Sequence, residues 1–169
     1  AARGQPIRQR SWRSTARASK KPAEWDYQIG SGDMTAQISD QIGQFIRSYS
    51  WEFERQTNGE LITRFVGETT DTNFNLIIAA DEKWLSLTIW PYFPYIPTEK
   101  RTEVLDLIAK CNFQVRLARL ALTASGDIAI CLDLPAEALT EPVFHTCLDV
   151  ITWYADSLYP EFLAFWSEV

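Results

Sequence analysis

The residue types best suited to chemistry are few. His145 is the only histidine, and it stands two residues before Cys147, one of three cysteines. A hydrolytic or transfer enzyme needs a nucleophile, a base and a stabiliser of developing charge. On a helix a spacing of two points side chains to different faces, so His145 and Cys147 can neither share a metal nor act as a thiolate–imidazole couple. His145 therefore reads as a structural histidine near a helix start. The acid pairs Glu52/Glu54 and Asp81/Glu82 read as the solvated face of a strand and a turn rather than as acid–base partners. Gly30-Ser31-Gly32 is a lone G-x-G with no strand before it, and lacks the context of a phosphate or dinucleotide site. The expectation is a chain with no catalytic set, no metal site and no cofactor.

Recognition chemistry is better represented. The stretch Ile89-Trp90-Pro91-Tyr92-Phe93-Pro94-Tyr95-Ile96-Pro97 holds four aromatic residues and three prolines. Prolines this dense lack the N–H donors of a helix or central strand, so the stretch reads as connecting chain. If half the area of Trp90, Tyr92, Phe93 and Tyr95 were exposed, the patch would reach about 300–500 Å², the size at which a patch marks a binding site. The same rings could equally pack beneath a helix as core. The preceding run puts Trp84, Ser86, Thr88 and Trp90 on one face, half polar and half indole, which suits an interface that must also survive in water. Trp84, Trp90, Tyr92, Phe93 and Tyr95 are thus the candidate protein-binding residues.

A second candidate is electrostatic. Residues 1–24 carry Arg3, Arg8, Arg10, Arg13, Arg17, Lys20 and Lys21 against Glu24 alone, a net of +6, while residues 25–169 carry 9 basic and 21 acidic residues, a net of −12. The arm has only Ile7 and Trp12 as large apolar side chains, too few to offset the entropy of ordering it. It reads as a flexible basic arm, with a single domain over 25–169. It could meet nucleic acid, an acidic protein surface or the acidic body itself, or be the remnant of a targeting segment. No aromatic platform interleaves with its charges, so nucleic-acid binding ranks below protein binding.

The elements that position these residues follow from periodicity. Ile38, Ile42, Phe45, Ile46 and Tyr49 share one helical face, with the helix starting near Met34 under an Asp33 cap. The period then changes to two: Trp51 to Arg55 and Leu61 to Val66 flank Asn58-Gly59, a strong hairpin signal. Strands Phe74 to Ala80 and Trp84 to Trp90 follow. After the Pro-rich connection, Thr98 caps a second helix with the stripe Val104, Leu105, Ile108 and Cys111. Arg116 to Ala124 and Asp127 to Leu134 form a hairpin around Ser125-Gly126, with Ala121, Ala129 and Cys131 making a small-residue face. A last helix from about Pro142 buries Phe144, Leu148, Ile151, Ala155 and Leu158 and is interrupted at Tyr159-Pro160, after which a short segment carries Phe162, Phe165 and Trp166. The fold class is α+β: a mainly antiparallel sheet of about five strands with covering helices, in the order α-β-β-β-α-β-β-α.

At 169 residues and 46% hydrophobic the chain can bury a core without disulfides or metal. There is no run of 18 apolar residues, so no membrane span is expected. Cys111, Cys131 and Cys147 are odd in number and sit in apolar sequence, as buried thiols of a reducing cytoplasm do.

Four stretches resemble the YbjN family, a group described as bacterial sensory transduction regulators. They are "WEFERQTNGELITRFVGETTDTNFNLIIAADEKWLSLTIW" with its Arg64-Phe65-Val66-Gly67-Glu68 step, the Pro-rich crossing into "PTEKRTEVLDLIAKCN", the hairpin "ARLALTASGDIAICLDL", and "ADSLYPEFLAFW". The resemblance covers about residues 34–166, and none of its motifs is catalytic. It implies a fold like that of type III secretion chaperones, small acidic proteins, commonly dimeric, that bind segments of other proteins. A non-enzymatic, cytoplasmic adaptor holding an unidentified protein partner is the function it implies, with a nucleic-acid regulator as the alternative. Such chaperones commonly dimerise around the helix corresponding to 98–111, so its outward residues Glu103, Asp106, Leu107 and Lys110 are the expected homodimer interface.

Overall fold

The computed structural model describes residues 36–96 and 98–167. The basic arm, Met34 and Asp33 lie outside the described residues. Helix α1 (Ala36–Ser48) is followed by β1 (Glu54–Arg55), β2 (Leu61–Val66), β3 (Asn73–Ala80) and β4 (Trp84–Phe93). Then come α2 (Arg101–Gln114), β5 (Ala118–Leu122), β6 (Ile128–Pro135) and the long α3 (Glu141–Ser167). The sheet is antiparallel throughout, in the order β1-β2-β3-β4-β6-β5. Six strands rather than about five result because the run before Asn58-Gly59 contributes the two-residue β1, so four strands precede α2. Gly59 takes a positive φ of 84° in that turn, the reason the Asn-Gly signal works.

Period-two alternation divides every strand. Leu61, Phe65, Phe74, Leu76, Ile78, Leu85, Leu87, Ile89, Leu120, Ile128, Ile130, Leu132 and Leu134 face a single apolar cluster. Ile42 and Ile46 of α1, Val104, Ile108 and Cys111 of α2, and Phe144, Leu148, Ile151, Ala155 and Phe162 of α3 close it from above. All three helices therefore cover the same side of the sheet.

Three expectations need correction. The strand β4 does not stop at Trp90 but runs through Pro91 to Phe93, because its register with β6 shifts between Ile89 and Phe93. A proline is tolerated where the ladder is already interrupted. Helix α3 is not interrupted at Pro160 but continues to Ser167. An internal proline costs about 3 kcal/mol; the rings beyond it offset this by packing on β4, with Phe93 centroids 4.7 Å from Trp166 and 5.8 Å from Phe162. Finally, Thr98 opens a 3-10 turn (Thr98–Lys100) rather than capping α2, and Leu105 is exposed, so the buried stripe of α2 narrows to Val104, Ile108 and Cys111.

Candidate protein-binding face

The aromatic connection splits between two environments. Tyr92 and Phe93 are core residues, which corrects their assignment to a binding surface. Past the register shift their rings turn inward and meet Phe74, Tyr159 and Phe162. The Tyr92 hydroxyl donates to the Ala155 carbonyl at 2.9 Å, one turn ahead of Pro160, and burial holds its pKa well above the ordinary phenol value. Trp84, by contrast, is 50% exposed and Trp90 is half-buried, both on the opposite side of β4. Tyr95 is 60% exposed but lies elsewhere, against Gly126 of the β5–β6 turn, with its N–H on Asp127 Oδ1 at 2.9 Å.

The side of the sheet away from the helices is built in rows. One row crosses all six strands as Glu54, Ile62, Ile77, Thr88, Cys131 and Arg119. The next aligns Ala79, Ser86 and Asp133, where Asp133 accepts from Ser86 Oγ at 2.6 Å and pairs with Arg119 at 2.5 Å. Trp84 borders these rows at one end of β4 and Trp90 at the other, about 20 Å apart along the strand. Between them the floor is small: Ala79, Ser86, Thr88 and Ala129 are all buried, Thr88 at 6% and Ala129 at 1%. Ala79 and Ala129 are nonetheless not part of the helix-side core. Apart from Ile77, the floor beside β4 is made of small side chains and is bordered by indoles, which suits the close approach of another backbone.

On α2 the expected interface residues Glu103, Asp106 and Lys110 all point to solvent, while Leu107 is partly buried against the core. Phe113 continues the same outward side three residues beyond Lys110 and is 92% exposed. It was missed because a single aromatic in a last turn carries no periodic signal; its distance of two residues from buried Cys111 would have placed it outward. Leu117, at φ 66°, and Trp153 are also exposed near this end of α2, where the Arg116 N–H donates to Tyr154 Oη at 2.9 Å.

The residues considered for catalysis form no working set. His145 Nε2 lies 2.9 Å from the Phe45 carbonyl, 3.2 Å from Ser48 Oγ and 4.0 Å from Glu141 Oε1. A carbonyl only accepts, so Nε2 carries the proton and cannot act as base for Ser48, whose hydroxyl donates to Glu141 at 2.5 Å. The cluster ties the end of α1 to the start of α3, assisted by the Tyr49 hydroxyl bonded to Asp149. Burial raises the thiol pKa of Cys111, Cys131 and Cys147, which disfavours reactive thiolates. Among the described residues no group of three His, Cys, Asp or Glu side chains could hold a metal, and no helix is long and apolar enough to cross a membrane.

A polar lock went unnoticed in the sequence. Asp156 of α3 accepts from Thr69 N–H at 2.9 Å and Thr69 Oγ1 on one oxygen, and from Thr70 N–H at 3.1 Å and Oγ1 at 2.7 Å on the other. It anchors the β2–β3 loop that begins at Gly67.

The family model YbjN, described as "Putative bacterial sensory transduction regulator", matches residues 39–164. No curated protein matches the chain in sequence. Among solved structures, a chain of the HopA1–SchA chaperone–effector complex is similar over 76% of this chain and 98% of its own, with a TM-score of 0.54 and 16% identity. The type III secretion chaperone SycH of Yersinia pestis, in complex with a stable fragment of YscM2, is similar over 72% and 98%, with a TM-score of 0.48 and 17% identity. The first likeness shows that this chain shares its fold with a chain of that chaperone–effector complex.

Proposed function

The chain belongs to the YbjN family, and from that premise we propose that it is a non-enzymatic protein-binding module, adaptor- or chaperone-like, that holds a segment of another protein on its outer sheet face. The observation that carries the reading is that face itself: Trp84 and Trp90 border a floor of mostly small side chains, on the side of the sheet that α1, α2 and α3 leave uncovered. The similar fold in a chaperone–effector complex supports it, as does the body's acidic charge. Tyr95 stands apart and contributes only to a partner long enough to reach the β5–β6 turn. The module works as a homodimer through the outward side of α2, where Glu103, Asp106, Leu107 and Lys110 are joined by Phe113. Its free cysteines fit a reducing, cytoplasmic setting.

Affinity capture from the native cell, followed by mass spectrometry, tests this reading. Trp84→Ala removes an exposed ring and should leave the fold intact while losing the specific partner. Retention of every partner by the variant defeats the reading. A second reading, a regulator bound to nucleic acid, is favoured by the +6 charge of residues 1–24. Six or seven phosphate contacts would weaken binding on the order of a thousandfold between low and moderate salt. An unchanged salt dependence of DNA retention after neutralising the arm's arginines removes it.

A further inference from the structure

Asn112 of α2 lies against β5, a strand at the edge of the sheet. We infer that it is an edge guard: its side-chain amide holds the place of a neighbouring strand on β5 and keeps that edge from pairing with β5 of a second copy.

Among the described residues the sheet ends at β1 on one side and at β5 on the other. An edge strand offers N–H and C=O groups to any extended chain, and short or charged edges resist such pairing. The β1 edge is both, since its two residues are Glu54 and Arg55 and Asp40 holds Arg55 at 2.7 Å. The five residues of β5 include one charge, Arg119, which is drawn to Asp133 of β6. This longer edge needs another device.

The register shows which backbone groups of β5 point outward. In an antiparallel pair, alternate residues turn both backbone groups toward the partner strand and the others turn both away. Thr123 N–H donates to the Asp127 carbonyl at 2.9 Å, closing the β5–β6 turn. Counting back from Thr123, Ala121 and Arg119 face β6, while Leu122, Leu120 and Ala118 face outward. Leu120 is the middle one. Its N–H donates to Asn112 Oδ1 at 2.7 Å, and its carbonyl accepts from Asn112 Nδ2 at 3.0 Å. A primary amide presents the donor and acceptor of a peptide group side by side, so Asn112 satisfies Leu120 as a paired strand residue would. The two bonds also fix the orientation of the amide, since the reverse would set N–H against NH2 and oxygen against carbonyl. Asparagine is less suited than alanine to a helix interior, and these bonds account for its place in α2.

An unguarded edge would be self-complementary. With each Leu120 opposite its counterpart, an antiparallel pair about a twofold axis sets 118 against 122 and 119 against 121. The contact would also cover apolar side chains exposed beside the edge: Leu117, directly before β5, and Leu105, two turns ahead of Asn112 on the same face of α2. The guard takes no part in holding a partner on the outer face, so its test stands apart from that reading and from the homodimer.

Two experiments on the full chain test it. In the parent, hydrogen exchange followed by NMR should find the Leu120 amide at least about tenfold slower than the outward amides of Ala118 and Leu122. Equal rates for the three would mean that the edge is open at its centre and overturn the guard. The Asn112→Ala variant removes the amide and keeps a good helix former in α2. Light scattering over a concentration series should give it at least twice the parent's mass, with an unchanged circular dichroism spectrum. Adding Ala121→Lys, which sets a cation on the edge opposite the second copy's Arg119, should return the mass to the parent's value. A folded Asn112→Ala variant with the parent's mass throughout, or one whose larger species survives Ala121→Lys, refutes the proposal. If Asn112→Ala does not fold, the exchange rates of the parent decide alone.

Discussion

Replacing Asp156 by Asn should destabilise the fold by about 3 kcal/mol, and the loss should depend on pH. The carboxylate accepts four hydrogen bonds from Thr69 and Thr70. An amide offers one oxygen in place of two, so one threonine's hydroxyl and backbone N–H face an NH2 group; the hydroxyl can rotate to accept, but the part-buried N–H cannot. Hydrogen bonds to a charged acceptor contribute roughly 1.5–3 kcal/mol each, and an orphaned buried donor costs about 1–3 kcal/mol. For a chain of this size about 3 kcal/mol corresponds to a Tm lower by about 6–12 °C, and to a urea midpoint lower by about 1.5 M at a slope near 2 kcal/mol/M. Burial alone would raise the Asp156 pKa, but the Thr69 and Thr70 bonds outweigh it and hold it below the ordinary carboxylate value. A depressed folded pKa means the stabilisation is fully present above the unfolded value of about 3.9 and is lost as pH falls through the folded value. Urea titrations at several pH values should therefore show a constant gap between parent and variant from neutral pH to about 5, narrowing below about 4. A gap below about 0.5 kcal/mol at neutral pH, or one that does not narrow in acid, refutes the reasoning.

Gly67→Ala should cost about 2–3 kcal/mol, because a Cβ there collides with the Asp156 carboxylate and the Thr70 hydroxyl; combined with Asp156→Asn, urea unfolding should show a loss smaller than the sum. Tyr92→Phe should lower stability by about 1–2 kcal/mol in the same assay by leaving the Ala155 carbonyl without that donor; a neutral effect would mean the proline-side carbonyl finds another partner. For the proposed homodimer, Leu107→Glu and Phe113→Glu should each shift the light-scattering mass from two chains to one without changing the circular dichroism, and a single-chain mass for the parent across micromolar concentrations removes the proposal.

How far the sequence could be read depended on whether the signal was local. The hairpin at Asn58-Gly59, the stripe of α1 and the β5–β6 hairpin are legible because periods of 2 and 3.6 and a left-handed turn are written in adjacent residues. The prolines misled for one reason in both places: a proline's local penalty was weighed without the distant rings that offset it. Pro91 sits where the β4–β6 register shifts, and Pro160 is bridged by Phe162 and Trp166 against Phe93. The same register shift turned Tyr92 and Phe93 inward while Trp90 stayed out, so no reading of composition could divide that stretch. Asp156 was invisible for the complementary reason, since Thr69 and Thr70 lie 86 or 87 residues away.

The composition of the outer face argues that it is neither permanently wet nor permanently sealed. An antiparallel sheet with one solvated side normally alternates apolar-in with polar-out. Among the outward positions of β2 to β6 only Arg64, Asp133 and Arg119 are charged, and two of these pair with each other. A sealed second core would instead carry large aliphatic side chains throughout, like those of the helix side, yet beside Ile77 the central strands present Ala79, Ser86, Thr88, Ala129 and Cys131. Small, weakly polar residues lose little when uncovered and allow a backbone to approach closely when covered. The indoles at Trp84 and Trp90 then supply most of the apolar area that an occupant would cover. Such a surface favours an occupant that can leave, so substitution of Thr88 by Val should strengthen covering by a bound partner, slowing maleimide labelling of Cys131 in the complex. Labelling that speeds up in the folded variant would mean the floor is not a contact surface at all.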